Sequence, residues 1–172
     1  MISFASAAYE ISDSLMKLLT TFTANLAYLP GAYGHPKKME FWKNQPVIWK
    51  TCRQNPQPPE LIMPRYAEWL NSLPGKPIFI SYAMGFDFTF IYWYLIRFTG
   101  ASPFEDSGID MHSFAMAYLK KDYLGSGKDT LPASWFNERQ VSHLALNDAI
   151  DQGALFCNMI LANQKDSAND PR

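Results

Sequence analysis

"PIFISYAMGFDFTFIYWYLIRF", residues 77–98, is the most apolar stretch of the chain, yet it carries Asp87 near its middle with no lysine or arginine before Arg97. An isolated ionised carboxylate is costly to bury, so a residue placed this way is paired, holds a metal or opens to a cleft. How the stretch divides decides the fold. "PIFISYA" is a continuous apolar run of strand length, the pattern of a central strand covered on both faces. Gly85 ends it, and "DFTFIYWYLIRFTG" reads as a helix. Asp87, Phe90, Ile91, Tyr94, Leu95 and Phe98 share one face, while Phe88, Tyr92 and Ile96 make the other apolar too. A helix apolar all round is expected to be buried. The run is long enough to span a membrane, but Pro77, Gly85 and Asp87 interrupt it and no basic clusters flank it. Strand plus helix is therefore expected, with no membrane contact.

Upstream, "MISFASAAYE" reads as a strand in a tightly packed sheet, "ISDS" as a turn, and "LMKLLTTFTANLAYL" as its hairpin partner. "PGAYGHP" is a loop, and residues 37–60 read as short helical pieces broken by Pro46, Pro56, Pro58 and Pro59. "PPELIMPRYAEWLNSL" is a clearer helix, ended by "PGKP". Downstream, "SGIDMHSFAMAYL" predicts a short strand and a helix, with Asp110 or Ser113 near the helix start. A polar segment anchored by Trp135 and Phe136 follows, and "HLALNDAIDQGALFCNMILAN" is the strongest helix signal in the chain. Residues 164–172 are expected to form a disordered tail. The order β-β-α-β-α-β-α describes an α/β sheet with antiparallel strands first and crossovers later.

A chain of 172 residues has room for one domain with a sizeable core. The 48% hydrophobic content fits a globular protein, and a formal net charge of −1 offers no global basic field for nucleic acid. Any such binding must rest on local patches or on metal ions. Cys52 and Cys157 show no C-x-x-C spacing, and a reducing cytoplasm is the simplest setting. The opening residues lack the basic start of a signal peptide.

Asp87 falls just past a central strand, where ligand sites of open α/β sheets gather. Asp148 falls in the first turns of the last helix, five residues after His143. On one continuous helix those two would point about 140° apart. To share a cleft, His143 must sit on the loop before the helix, where it would suit a general base beside a metal ligand. Blander readings stand beside this one. Asp87 would serve as a helix cap, Asp148 as a first-turn acid favoured by the helix dipole, and His143 as a surface residue.

"GFDFTFIYWYL" followed by "HLALNDAIDQGALF" resembles the second and third motifs of the DEDDh 3′–5′ exonuclease superfamily, of the RNase T and DNA polymerase III proofreading type. His143, Ala145, Asp148 and Ala149 match its H-x-A-x-x-D-A motif, and Phe86 and Asp87 match the core of the other. The resemblance implies a ribonuclease H-like mixed sheet flanked by helices. It also implies removal of nucleotides from a 3′ end by hydrolysis, with two divalent cations, about 3.5–4 Å apart, at the scissile phosphate. Mg²⁺ or Mn²⁺ would suit such carboxylates. Asp87 and Asp148 would be the metal ligands and His143 the base, and the partner would be single-stranded or 3′-ended nucleic acid.

The chain departs from the family pattern in two places. "YAM" stands where an upstream Asn is usual, and the D-x-E of the first strand is absent. "MISFASAAYE" matches the family's second strand, so residues 1–163 are expected to be an exonuclease-like domain lacking its first central strand. Without the missing acids, weak or no hydrolysis is expected. The unpaired strand edges would favour pairing between chains, a homodimer included. Basic residues Lys37, Lys38, Lys43, Lys50 and Arg53 interleave with Phe41, Trp42 and Trp49. Trp42 and Lys43, with Phe86 and Lys128, are the candidate nucleic-acid contacts, against a solvated helix face with core-packed rings. Lys120, Lys121 and Arg139 also flank the His143 loop. His35 and His112 are expected to be structural. The competing function is a non-catalytic module that keeps the fold and binds nucleic acid or protein.

Overall fold

A computed structural model describes residues 1–12, 15–137 and 143–169. Asp13 and Ser14 of the expected turn, residues 138–142 with Arg139, and residues 170–172 of the tail lie outside them. Strands β1 (Ser3–Ser12) and β2 (Leu15–Asn25) form an antiparallel hairpin, from Ser3 opposite Asn25 to Ser12 opposite Leu15, with a register shift between Ala8 and Tyr9. Helices α1 (Pro36–Lys43), α2 (Pro46–Cys52) and α3 (Pro59–Asn71) follow. Each opens on proline, whose fixed φ and missing N–H suit the first helical position. Strand β3 (Phe79–Ser81), helix α4 (Met84–Thr99) and strand β4 (Gly108–Asp110) make a parallel crossover unit, completed by α5 (Met111–Leu119). Three 3₁₀ turns lead to α6 (Ala145–Asn169).

The protein is thus mixed α/β, but its strands form two separate two-stranded sheets, β1–β2 and β3–β4. Alternation along β1 sends even-numbered side chains to one face and odd-numbered ones to the other. Phe4 packs on the Tyr66 ring of α3 at 5.1 Å, and Ser6 Oγ hydrogen-bonds the Tyr66 hydroxyl at 2.7 Å. On the opposite face the Tyr9 hydroxyl donates to the Ile150 carbonyl of α6 at 2.9 Å. The helix lies so close here that a Cβ on Gly153 would overlap the Tyr9 ring. One core cluster joins α3 and α4 to β1 and β3 through Tyr66, Leu70, Leu95, Phe4 and Phe79. A second lies between α5 and α6 around Met111, Trp135, Leu155 and Met159.

Other expectations need correction. The seven-residue apolar run pairs as a strand only over Phe79–Ser81, because its partner β4 is equally short. Helix α4 is not buried all round: Phe86, Phe90, Trp93 and Ile96 are exposed along one side, since neighbours cover only the side of Ile91, Tyr94 and Leu95. The expected tail is helical through Asn169. An established helix adds one hydrogen bond per residue fixed, and the Tyr118 hydroxyl of α5 ties down Asp166. No described helix is long and apolar enough to cross a membrane.

Candidate functional site

Asp87 lies in the first turn of α4, but it does not cap that helix. The N-cap position is Ala83, held left-handed at φ 64°, and the Met84 N–H donates to Asp110 Oδ2 at 2.8 Å. Burial raises the Asp87 pKa above its ordinary 3.8, and the nearby Ser81 hydroxyl pulls the other way by favouring the charged form. That hydroxyl is buried at the end of β3 and makes no hydrogen bond of normal geometry among the described residues. A half-enclosed carboxylate thus lies near a buried hydroxyl, and among the described residues no cation contributes to its shift.

Asp148 lies in the first turn of α6, and its N–H donates to the Leu144 carbonyl at 3.0 Å. Burial is again the main influence and raises its pKa, helped by Asp151 and opposed by His143 and Lys128. Lys128 therefore acts on this carboxylate rather than belonging only to a solvated loop. His143 precedes the helix, as the angular argument requires, in a left-handed conformation at φ 53° that a non-glycine residue adopts at a cost. Asp87 and Asp148 are not among the influences on each other's pKa.

Helix α1 reaches both motif segments. Lys38 Nζ stands 5.8 Å from the centre of the Phe86 ring, and the Phe41 ring meets the His143 ring edge-on at 5.5 Å. Residues three apart on a helix are surface neighbours, so one turn of α1 touches the segment before Asp87 and the segment before Asp148. Trp42 packs between Phe41, at 5.3 Å, and Trp49 of α2, at 5.6 Å. It supports the Phe41 ring and does not itself meet His143. Lys43 closes α1 at an exposed position. Sequence reasoning placed Lys38 and Phe41 in a basic aromatic patch without singling them out. Their spacing was visible, but their contacts depend on how α1 docks.

The carboxylates and the Ser81 hydroxyl are hard oxygen donors, which suit Mg²⁺ or Mn²⁺ in kind. In number they fall short: among the described residues no group of three or more His, Cys, Asp and Glu side chains converges to hold an ion. Asp110, at the start of α5, is committed to Met84 and Ser113.

The raised Asp87 pKa has a consequence for stability. The folded chain holds this proton more tightly than the unfolded chain, so ionisation costs stability above the unfolded value of 3.8. The cost disappears below that pH, where both states are protonated. Asp87→Asn is therefore expected to raise Tm at pH 7 and to match the parent chain at pH 3. Partial exposure screens the effect, leaving a gain of roughly 2–4 °C, the shift that about 1 kcal/mol produces in a chain of this size. Equal melting temperatures at pH 7 would exclude a costly carboxylate.

No protein-family model matches the chain, and no curated protein shows significant similarity to it.

Proposed function

We propose that this is a DEDDh-type 3′–5′ exonuclease domain with a ribonuclease H-like arrangement, whose hydrolytic site is impaired. The observation that carries the reading is that one turn of α1 touches two segments distant in sequence, Phe86 next to Asp87 through Lys38 and His143 before Asp148 through Phe41. Both segments bear the residue types of the motifs they resemble.

Asp87 and Asp148 would hold the cation, with Ser81 beside Asp87. A bound divalent ion supplies neutralisation of phosphate charge and a more acidic water. The protein's own residues would do the rest. An imidazole nitrogen of His143, exposed on its loop, would accept a proton from water, while Lys38 and Lys128 would meet phosphate oxygens. Phe86 would stack against a base, with Trp42 and Lys43 behind it on α1. Two carboxylates without a further acidic pair leave the cation weakly held, so turnover would be slow or absent.

The test is calorimetric titration with Mn²⁺ alongside degradation of a 3′-labelled oligonucleotide. Weak Mn²⁺ binding that Asp87→Asn and Asp148→Asn each abolish is expected, with little shortening of the oligonucleotide. No detectable Mn²⁺ binding would overturn the metal site. Turnover at about 1 s⁻¹ or faster, ordinary for an enzyme, would overturn the impairment. The second reading, a module that binds nucleic acid without cleaving it, is favoured by the exposed rings of α4 and predicts binding that is indifferent to Mn²⁺.

A further inference from the structure

Helix α4 turns three large rings to solvent: Phe86, Phe90 and Trp93 are 59%, 40% and 48% exposed. Their spacing of four and then three residues puts them on one stripe. Phe86 and Phe90 touch edge-to-face at 5.2 Å. Single exposed apolar side chains are ordinary, but a contiguous stripe marks a surface that binds something. We propose that this stripe, with Lys38 at one end and Arg97 at the other, is a stacking track for the bases of single-stranded nucleic acid.

The charges at the ends choose this occupant over an apolar protein surface. Lys38 sits over Phe86 and Arg97 over Phe98, each 5.8 Å from the ring centre, and neither forms an ion pair among the described residues. Between them the exposed face carries Thr89 and Ile96 but no carboxylate. Rings flanked by cations match a strand whose bases are flat and apolar and whose backbone is anionic. The length also fits. Phe86 to Trp93 spans about 10 Å of helix at 1.5 Å per residue, close to three stacked bases at about 3.4 Å each. Every base has a flat face, so the track takes any sequence, but it needs bases that are not paired. It begins at Phe86, beside Asp87, and so rests on the proposed function only for the direction in which the strand would run.

The experiment separates the two readings by measuring binding without hydrolysis. Anisotropy of a fluorescein-labelled oligothymidylate is followed in EDTA, with the full chain and with Phe90→Ala, Trp93→Ala and Trp93→Phe. Both positions are exposed, and circular dichroism checks that the fold is kept. Trp93→Ala is expected to weaken binding about tenfold, within the range found when one stacking ring is removed, and Phe90→Ala similarly. Trp93→Phe retains most of the affinity, and a blunt duplex binds at least about tenfold more weakly than the single strand. Lys38→Ala and Arg97→Ala each flatten the salt dependence. Unchanged affinity in both alanine variants overturns the track, as does failure of the oligonucleotide to bind. A dimer in gel filtration that both variants dissociate, without change in oligonucleotide affinity, also overturns it and assigns the stripe to a second copy. If hydrolysis and Mn²⁺ binding are absent while the alanine variants still weaken binding, the track stands and the exonuclease reading falls.

Discussion

Tyr66→Ala is expected to destabilise the protein by about 3–5 kcal/mol, the range for removing a large buried aromatic side chain. The ring is fully buried and touches Phe4 at 5.1 Å, Phe22 at 5.0 Å and Phe104 at 6.5 Å, and lies stacked on Trp69 at 5.7 Å. Its position makes it more than one core residue among several. The two sheets are separate. What joins β1 to β3 on this face is a chain of rings, from Phe4 through Tyr66 to Phe104 and then to Phe79 at 5.2 Å. Tyr66→Ala removes the central link and leaves a cavity that neighbours on separate sheets cannot easily close. Tyr66→Phe keeps the ring and removes only the bond to Ser6, for about 1 kcal/mol. Urea unfolding measures both. Hydrogen exchange in the alanine variant should speed first in the β1–β2 hairpin. A loss below about 1 kcal/mol for Tyr66→Ala would show that the sheets are held together by other contacts.

Local signals in the sequence located the hairpin, the proline-started helices and the long last helix, because each depends on neighbours in the chain. The extent of β2 was overrun: the apolar run continues to Leu29, but the strand ends at Asn25, opposite Ser3 at the start of β1. Helix α4 was misread for a related reason. Periodicity shows which faces are apolar, not which faces other elements cover, and only the side of Ile91, Tyr94 and Leu95 meets the core. Trp135 was correctly expected to anchor its segment, but the 3₁₀ turns around it have no periodic signature.

At the candidate site, the His143 position was legible because helix geometry forbids it and Asp148 from facing one way if both are helical. The Asp87 environment was legible only in part. That no lysine or arginine precedes Arg97 in the run could be read along the chain, whereas the Ser81 hydroxyl beside Asp87 required the turn between β3 and α4. The contacts of α1 with Phe86 and His143 were beyond reach, since no local rule fixes where a short amphipathic helix docks. Asp110 was read as a residue near the start of α5. Its second duty depends on a residue far earlier in the chain.

Asp110→Ala is accordingly expected to cost about 2–3 kcal/mol, more than the roughly 1 kcal/mol of an ordinary N-cap. Its Oδ1 accepts the Ser113 N–H and the Ser113 hydroxyl, each at 2.7 Å, and so caps α5. Its Oδ2 accepts the Met84 N–H at 2.8 Å, satisfying the first helical residue of α4 where the left-handed Ala83 offers no side-chain cap. Burial pulls the Asp110 pKa upward, but the bonds from Ser113 and Met84, with nearby His112, outweigh it and hold the pKa below 3.8. The sign is opposite to that of Asp87. Asp110 stabilises the fold at all pH values above the unfolded 3.8, and that contribution is lost as pH falls through the lower folded value. Parent and Asp110→Asn stabilities should therefore converge in strong acid and diverge above pH 4. Asp87 stands three residues beyond Met84, so a frayed first turn would displace it. If Asp87 holds the cation as proposed, Asp110→Ala should then weaken Mn²⁺ binding, whereas Ser113→Ala, which removes a hydroxyl on the α5 side alone, should lower stability and leave Mn²⁺ affinity unchanged. Equal loss of Mn²⁺ affinity in both variants would mean that Asp110 acts through general stability and does not position Asp87.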